Sequence, residues 1–331
     1  MGMNYESRAN RQIEQYRDLG RLKKLPPIYR YWSQKHLRPM IDEVFGARIN
    51  LFDIYATQFA AALARQTQTR RILSIGAGEC KIEIAVAKTL KAMKVDGFVI
   101  DCTDLSGIRL ARGREEAEKE GMSDHLEFLE VDMNRWDTPR RYAAVMAQHT
   151  LHHIVELETL FESVLRLMDD EGVFVSIDMI GRNGHMRWPE TLVWVERAWA
   201  FLADQYKFNH QFGKQIDPYV NWDCSKSGFE GIRAQDILPL LVANFSFTHF
   251  AAVGGIVDPF IERGYGHNFD VEKQVDTAFI DFLHHLNTTL IDQGIVKPTM
   301  MFAVMKKKGE QNVTVQHGHW SPEFCIRDPG L

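Results

Sequence analysis

The chain has 331 residues, 45% of them hydrophobic, and its 39 Lys and Arg face 44 Asp and Glu for a formal charge of −5. That is enough apolar material for a large packed core, and the acidic excess argues against a broad electrostatic footprint for nucleic acid. Four cysteines, Cys80, Cys102, Cys224 and Cys325, follow no zinc-site spacing and are too few for a disulfide framework, so a reducing cytoplasm is expected.

The N-terminal stretch "MGMNYESRANRQIEQYRDLGRLKK" is polar throughout and lacks the apolar segment of a secretory signal. Glu6 occupies the position where a myristoylation pattern needs Ser or Thr. No window reaches the roughly 20 apolar residues of a membrane span. Residues 10–66 carry helical spacing, interrupted at Pro26 and Pro27, and predict a helical extension over residues 1–69. Within it, Tyr29, Tyr31, Trp32 and His36 could reach a site, but an amphipathic helix packed on the core is the safer account of them.

From Arg71 the rhythm changes to short apolar runs alternating with helical stretches, the pattern of a parallel sheet covered on both faces. "RILSIG" reads as strand one, followed by the helix "KIEIAVAKTLKAM"; "GFVIDCTD" is strand two, followed by "GIRLARGREEAEKEG". "HLEFLEVD" and "YAAVMAQH" are strands three and four, "ELETLFESVLRLM" is a helix, and "GVFVSIDMI" is strand five. The alternation then stops for an insert over residues 181–244, whose first half reads as a long helix. It resumes with strand six, "FSFTHFAAVGG", the helix "DTAFIDFLHHLNTTLIDQG" and a last strand, "TMMFAVMKK". Residues 70–308 thus form one α/β domain, and residues 309–331 a tail with little periodicity, expected to be loosely ordered.

A strand that ends in Gly-x-Gly and enters a helix lets backbone approach a ligand at the helix N-terminus. Gly76 and Gly78 supply that turn, but the dinucleotide fingerprint needs a third glycine where Lys81 stands. Glu79 beside the turn would repel a pyrophosphate and suits a cationic, amino-bearing ligand. Acids at the ends of strands two and three extend the pattern. Asp101 or Asp104 can accept from ribose hydroxyls, and Asp132 from an adenine amine.

The series "ILSIGAGECKIE", "DLSGIRLARGREEAE", "LEFLEVDMNRW" and "AQHTLHHIVELETLFESVLRLMDDEGVFVSID" resembles the class I S-adenosylmethionine-dependent methyltransferases over residues 71–181, and the two final strands match that family's closing antiparallel pair. The resemblance implies a seven-stranded, mostly parallel, doubly wound sheet with an antiparallel last strand, and S-adenosylmethionine as cofactor. It implies donor contacts from Gly76, Ala77, Gly78 and Glu79 at the methionine end, Asp104 and Leu105 at the ribose, Asp132 and Met133 at adenine, and Gln148 and His149 near the methyl. Ser74 departs from the family, which commonly has an acid there; Glu79 is expected to supply part of that charge.

Methyl transfer from a sulfonium is an in-line displacement, so the protein must align the groups and take a proton from a hydroxyl acceptor. Histidine is the natural base near neutral pH. His149, His152 and His153 follow strand four and cannot all face the donor. A second set, Asp178, Arg182, Asn183, His185 and Arg187, follows strand five, and a third, Arg263, Tyr265, His267 and Asn268, follows strand six. His185, His267 and His149 are the candidate bases; Arg182, Arg187, Arg263, Tyr265 and Asn268 are candidate acceptor contacts, suited with the insert's tryptophans to an anionic or sugar-like acceptor. The insert with strand six is also similar to uncharacterised bacterial methyltransferases found with glycan biosynthesis, which implies O-methylation of a small-molecule or glycan acceptor. N-methylation, protein or RNA methylation, and a non-catalytic donor-binding module are the alternatives, with homo-oligomerisation left open. The pairs His284–His285 and His317–His319 lack a carboxylate or cysteine framework, so no metal is expected.

Overall fold

The computed structural model describes residues 5–8, 11, 24–46, 50–65, 69–226, 228–309 and 314–328. Parts of the expected helical extension (residues 10, 12–23, 47–49 and 66–68) and of the tail (residues 310–313 and 329–331) lie outside the described residues.

Eight strands form the central sheet. In chain order, α1 (Pro27–Trp32) continues through a π-helical turn into α2 (Arg38–Phe45), and α3 (Leu51–Arg65) precedes β1 (Arg71–Ile75). The alternating part runs α4 (Lys81–Ala92), β2 (Val99–Asp104), α5 (Gly107–Lys119), β3 (Leu126–Glu130), β4 (Tyr142–Gln148), α6 (Leu157–Leu167) and β5 (Met168–Met179). Beyond the insert come α7 (Pro189–Phe201), the two-residue strands β6 (Phe208–Asn209) and β7 (Lys214–Gln215), α8 (Ala234–Asn244) and β8 (Phe245–Val253). The chain closes with α9 (Asp258–Ile261), α10 (Gln274–Asp292), β9 (Met300–Lys307), β10 (Val315–Gln316) and α11 (Pro322–Cys325).

The sheet order is β10-β8-β9-β5-β4-β1-β2-β3, parallel except for β9, which pairs antiparallel with both β5 and β8. β1 and β4 lie centrally with apolar residues buried on both faces, which is why their sequences read as unbroken apolar runs rather than an alternation. α3 packs on β4 and β5 and against α4, so part of the N-terminal extension completes the core of the α/β domain. Ile54, Tyr55, Phe59 and Leu63 of α3 are buried.

Two expectations are corrected. The tail is not loose over residues 314–328: Val315 and Gln316 add an eighth strand, parallel to β8, and Trp320 is buried with its Nε1 donating to Asp292 Oδ1 at 2.6 Å. Its strand is too short to leave a period in the sequence. The insert's first half is also not one long helix. Its helix begins at Pro189, a residue pre-organised for a first helical turn, and residues 204–226 form 3₁₀ turns and the small β6–β7 hairpin.

Candidate active site

β1, β2, β3 and β4 run parallel and end on the same side of the sheet, where an open α/β sheet builds its sites. A cavity of about 500 Å³ opens there, within the roughly 300–1,000 Å³ range of small-molecule pockets. The turn after β1 forms its floor. Gly76 and Gly78 have φ of +67° and +60°, where a side chain is strained. A Cβ on Gly76 would lie 1.9 Å from Thr150 Oγ1, and one on Gly78 2.1 Å from the Arg109 guanidinium. Gly76 is thus constrained by space as well as by conformation, whereas at Gly78 the neighbour is the end of a flexible arginine and conformation is the constraint.

Asp104, at the end of β2, is locked by that turn. Its Oδ2 accepts from the Gly78 amide at 2.8 Å, its Oδ1 from the Ser106 amide at 2.9 Å, and Arg109 lies 3.5 Å away. Asp101, three residues earlier, faces elsewhere: it is fully buried among Arg71, Arg140 and the Tyr142 hydroxyl, and does not line the cavity. Strand two therefore presents Asp104 to a ligand. At the end of β3, Asp132 and Met133 line the cavity as well.

The carboxylate near the glycine turn is Glu83, not Glu79. Ser74 Oγ donates to Glu83 Oε1 at 2.6 Å, and Oε2 is buried with no hydrogen-bond partner among the described residues. Burial pushes the Glu83 carboxyl up to about 7. Glu79 sits at the rim, paired with Lys81 at 3.0 Å and Arg112 at 3.4 Å. The acid absent at Ser74 is thus supplied nine residues later, from the first turn of α4; the helix-start sequence contains it, but only the fold aims it back at Ser74.

Gln148, His149 and His153, after the adjacent strand β4, also line the cavity. Tyr55 of α3 donates to Gln148 Oε1 at 2.7 Å and fixes that amide. His149 has φ +48°, an uncommon conformation for a non-glycine residue, and its ring is open to the cavity. The surrounding cleft pushes its imidazole down, keeping it neutral and able to accept a proton. His152 turns away and is buried. Burial alone would lower it, but Asp178 against Nδ1 and Glu230 near Nε2 raise it to about 10. Asp178 correspondingly falls to about 2 despite burial, and the neighbouring His153 is pushed down to about 3 by burial and by His152. His185 joins the same group, with Nε2 2.8 Å from Glu230 Oε1. Nothing in "GFEGIR" announces Glu230; it reaches His152 only through the tertiary fold.

The remaining residues chosen from sequence lie off the cavity. His267 packs on His210, with ring centroids 5.2 Å apart. Arg187 is buried in an ion pair with Asp258 at 2.6 Å, so its charge is already matched. Arg182 lies over the Trp188 ring and donates to the Arg187 carbonyl. Tyr265 is buried edge-on against Trp199, and Asn268 bridges His210 to the carbonyls of Tyr206 and Phe208. Arg263 is exposed and does not line the cavity. Tyr31, Trp32 and His36 pack on Asp281 and His284 of α10, while Tyr29 packs against Trp32.

The N-terminal residue that does reach the site is Tyr5. Its hydroxyl donates to Asp132, with oxygens at 2.7 and 2.9 Å, and its ring stands 5.2 Å from that of Phe229. Arg8 holds the same segment by donating to the carbonyls of Ser225 and Gly228.

These residues fit S-adenosylmethionine. The glycine cradle admits backbone contact, the unpartnered Glu83 oxygen suits an ammonium, and Asp104 and Asp132 offer acceptors for ribose and adenine. Gly76, Ala77, Glu79, Asp104, Leu105, Asp132, Met133, Gln148 and His149 all line the cavity, while Gly78 shapes it from behind through its bond to Asp104.

Residues 72–172 match the model of the methyltransferase domain family. Among curated proteins, the polyketide synthase ThaQ of Burkholderia thailandensis is 26% identical over 148 residues, which are 40% of this chain; the chain spans only 7% of that synthase. Among solved structures, the O-methyltransferase of a trans-AT polyketide synthase multienzyme from Brevibacillus brevis, in complex with S-adenosyl-L-homocysteine, is 12% identical. It covers 78% of this chain and 73% of its own, with a TM-score of 0.42. The geranyl diphosphate C-methyltransferase of Streptomyces coelicolor is 14% identical over 77% of this chain and 78% of its own, with a TM-score of 0.41. No described helix is long and apolar enough to cross a membrane.

Proposed function

We propose, from the match of residues 72–172 to the methyltransferase domain family, that the chain is an S-adenosylmethionine-dependent methyltransferase acting on a hydroxyl of a small-molecule acceptor, with His149 as the general base. When bound, the donor supplies an electrophilic methyl group on a sulfonium. The residues of the chain do the rest. Glu83 and the glycine turn would hold the amino-acid end, Asp104 the ribose and Asp132 the adenine, in the cavity that His149 and Gln148 also line. His149, kept neutral by its surroundings, takes the hydroxyl proton as the acceptor oxygen bonds to the methyl carbon; the carbon–sulfur pair remains on sulfur. Alignment rather than covalent catalysis carries most of the rate in such a displacement.

The observation that supports this reading is a single cavity lined both by donor-type acceptors and by the His149 imidazole. The stretch shared with a polyketide synthase supports a polyketide-type hydroxyl over the glycan expected from sequence, because the arginines that suited a sugar or anion do not line the cavity.

The test is S-adenosylhomocysteine formation with β-hydroxyacyl thioesters, free hydroxy acids and sugars. We expect transfer to a thioester hydroxyl, falling by about 100-fold or more in His149→Ala while product affinity stays within about threefold. Transfer undiminished in that variant removes His149 as base; no binding of S-adenosylhomocysteine removes the reading altogether.

A further inference from the structure

Behind the cavity wall, three side chains from three separate loops converge. His152 follows β4, His185 follows β5, and Glu230 precedes α8. One ligand atom from each lies within 4.8 Å of the others. His185 Nε2 is 2.8 Å from Glu230 Oε1, and His152 Nε2 is 3.5 Å from the same oxygen. The loops are tied together around this point: the Gly184 amide donates to the Gly231 carbonyl at 2.8 Å, and the Ile232 amide to the His152 carbonyl at 3.0 Å.

Two further observations separate this group from an ordinary hydrogen-bonded cluster. His152 presents Nε2 to the shared point because Nδ1 is held by Asp178, whose Oδ2 is fixed by the amides of Thr150 and Leu151 at 2.8 and 2.7 Å. A carboxylate that sets the tautomer and angle of a ligating imidazole is the usual support of a metal-bound histidine. The backbone is also strained to deliver His185, which has φ +56° beside Gly184 at +67°. A side chain on Gly184 would lie 2.0 Å from Asp223 Oδ1, so this turn needs glycine there. Strain of this kind is held only where surrounding structure imposes it.

We propose that His152, His185 and Glu230 form a binding site for one divalent first-row transition cation. Two imidazoles and one carboxylate are a ligand set for zinc, manganese, iron or cobalt, and three protein ligands leave positions open for water or substrate. The sequence neighbours of the triad, His153 and Phe229, both line the donor cavity, so the site adjoins that cavity. There the cation acts as a Lewis acid on the acceptor hydroxyl and lowers its pKa. That role rests on the proposed function; the cation site does not.

The experiment measures metal in the full-length protein as purified, then titrates chelator-treated protein with Zn²⁺, Mn²⁺ and Co²⁺ by calorimetry, following the visible absorption of bound Co²⁺. We expect one equivalent, weakened at least about 100-fold in both His185→Ala and Glu230→Gln, with S-adenosylhomocysteine affinity kept within about threefold as proof of folding. Wild-type protein that takes up no cation, or variants that bind as tightly as wild type, overturns the site. Loss of methyl transfer from every hydroxyl acceptor while cation binding persists counts against the proposed function and leaves the site standing.

Discussion

Glu83 joins two opposing demands in one side chain. It is buried, and burial pushes its carboxyl up to about 7, so holding it ionised costs stability at neutral pH. A carboxyl raised on folding stabilises the protein at pH below its unfolded value and loses that contribution as pH rises through the folded one, here from about 4.5 to about 7. Glu83→Gln is therefore expected to match wild-type stability near pH 4 and exceed it by about 3 kcal/mol above pH 7, by denaturant melts. Donor affinity moves the other way. Wild-type affinity for S-adenosylmethionine rises through pH 7 as the carboxylate forms, with Asp104 and Arg109 the charged groups nearest it, whereas the variant binds weakly and with little pH dependence. Equal pH profiles in calorimetry would remove Glu83 from the donor site. At this scale Asp104 and Asp132 were legible because a strand end fixes where its residue points. Glu83 was visible only as an acid in a helix's first turn, since its partner, Ser74, lies on a neighbouring strand.

The element that reads least from sequence is the short N-terminal segment at residues 5–8. It precedes the helical spacing of residues 10–66, and its Tyr5 lines the cavity while α1 and α2 pack elsewhere. Its hold consists of Tyr5 on Asp132, the ring of Phe229 beneath, and Arg8 on two carbonyls. Hydrogen bonds of this kind contribute about 1 kcal/mol each. The double variant Tyr5→Ala, Arg8→Ala is thus expected to release S-adenosylhomocysteine roughly five to thirty times faster in stopped-flow measurements, with little change in melting. An unchanged dissociation rate would show that the segment does not confine the ligand. The strands and helices of the α/β core, by contrast, were legible to within a few residues. Buried parallel strands need continuous apolar runs, and the helices between them need one apolar face. The tail strand escaped because two residues carry no period, and the insert because turns and a two-residue hairpin are set by tertiary contacts.

Across the whole molecule, the sheet separates binding from bracing. The cavity-lining residues sit over β1, β2, β3 and β4, whereas the other end of the sheet, β9, β8 and β10, carries none of them. At that end α2, α8 and α11 pack on β8, and Trp320 ties the tail to α10: it is buried, bonded to Asp292 of α10 and edge-on to His317. The triad of His152, His185 and Glu230 belongs to the first half and was illegible, because its members come from loops up to 78 residues apart, and sequence spacing alone does not bring such loops together. This division predicts that damage to the bracing half lowers stability without reshaping the site. Trp320→Ala removes a buried indole and its hydrogen bond, at a cost of about 3–5 kcal/mol, so Tm falls by on the order of 10 °C. At a temperature well below that Tm, calorimetry should still show S-adenosylhomocysteine affinity within about twofold of wild type. If affinity falls with stability, the two ends of the sheet are one cooperative unit, and the donor site depends on packing at its far edge.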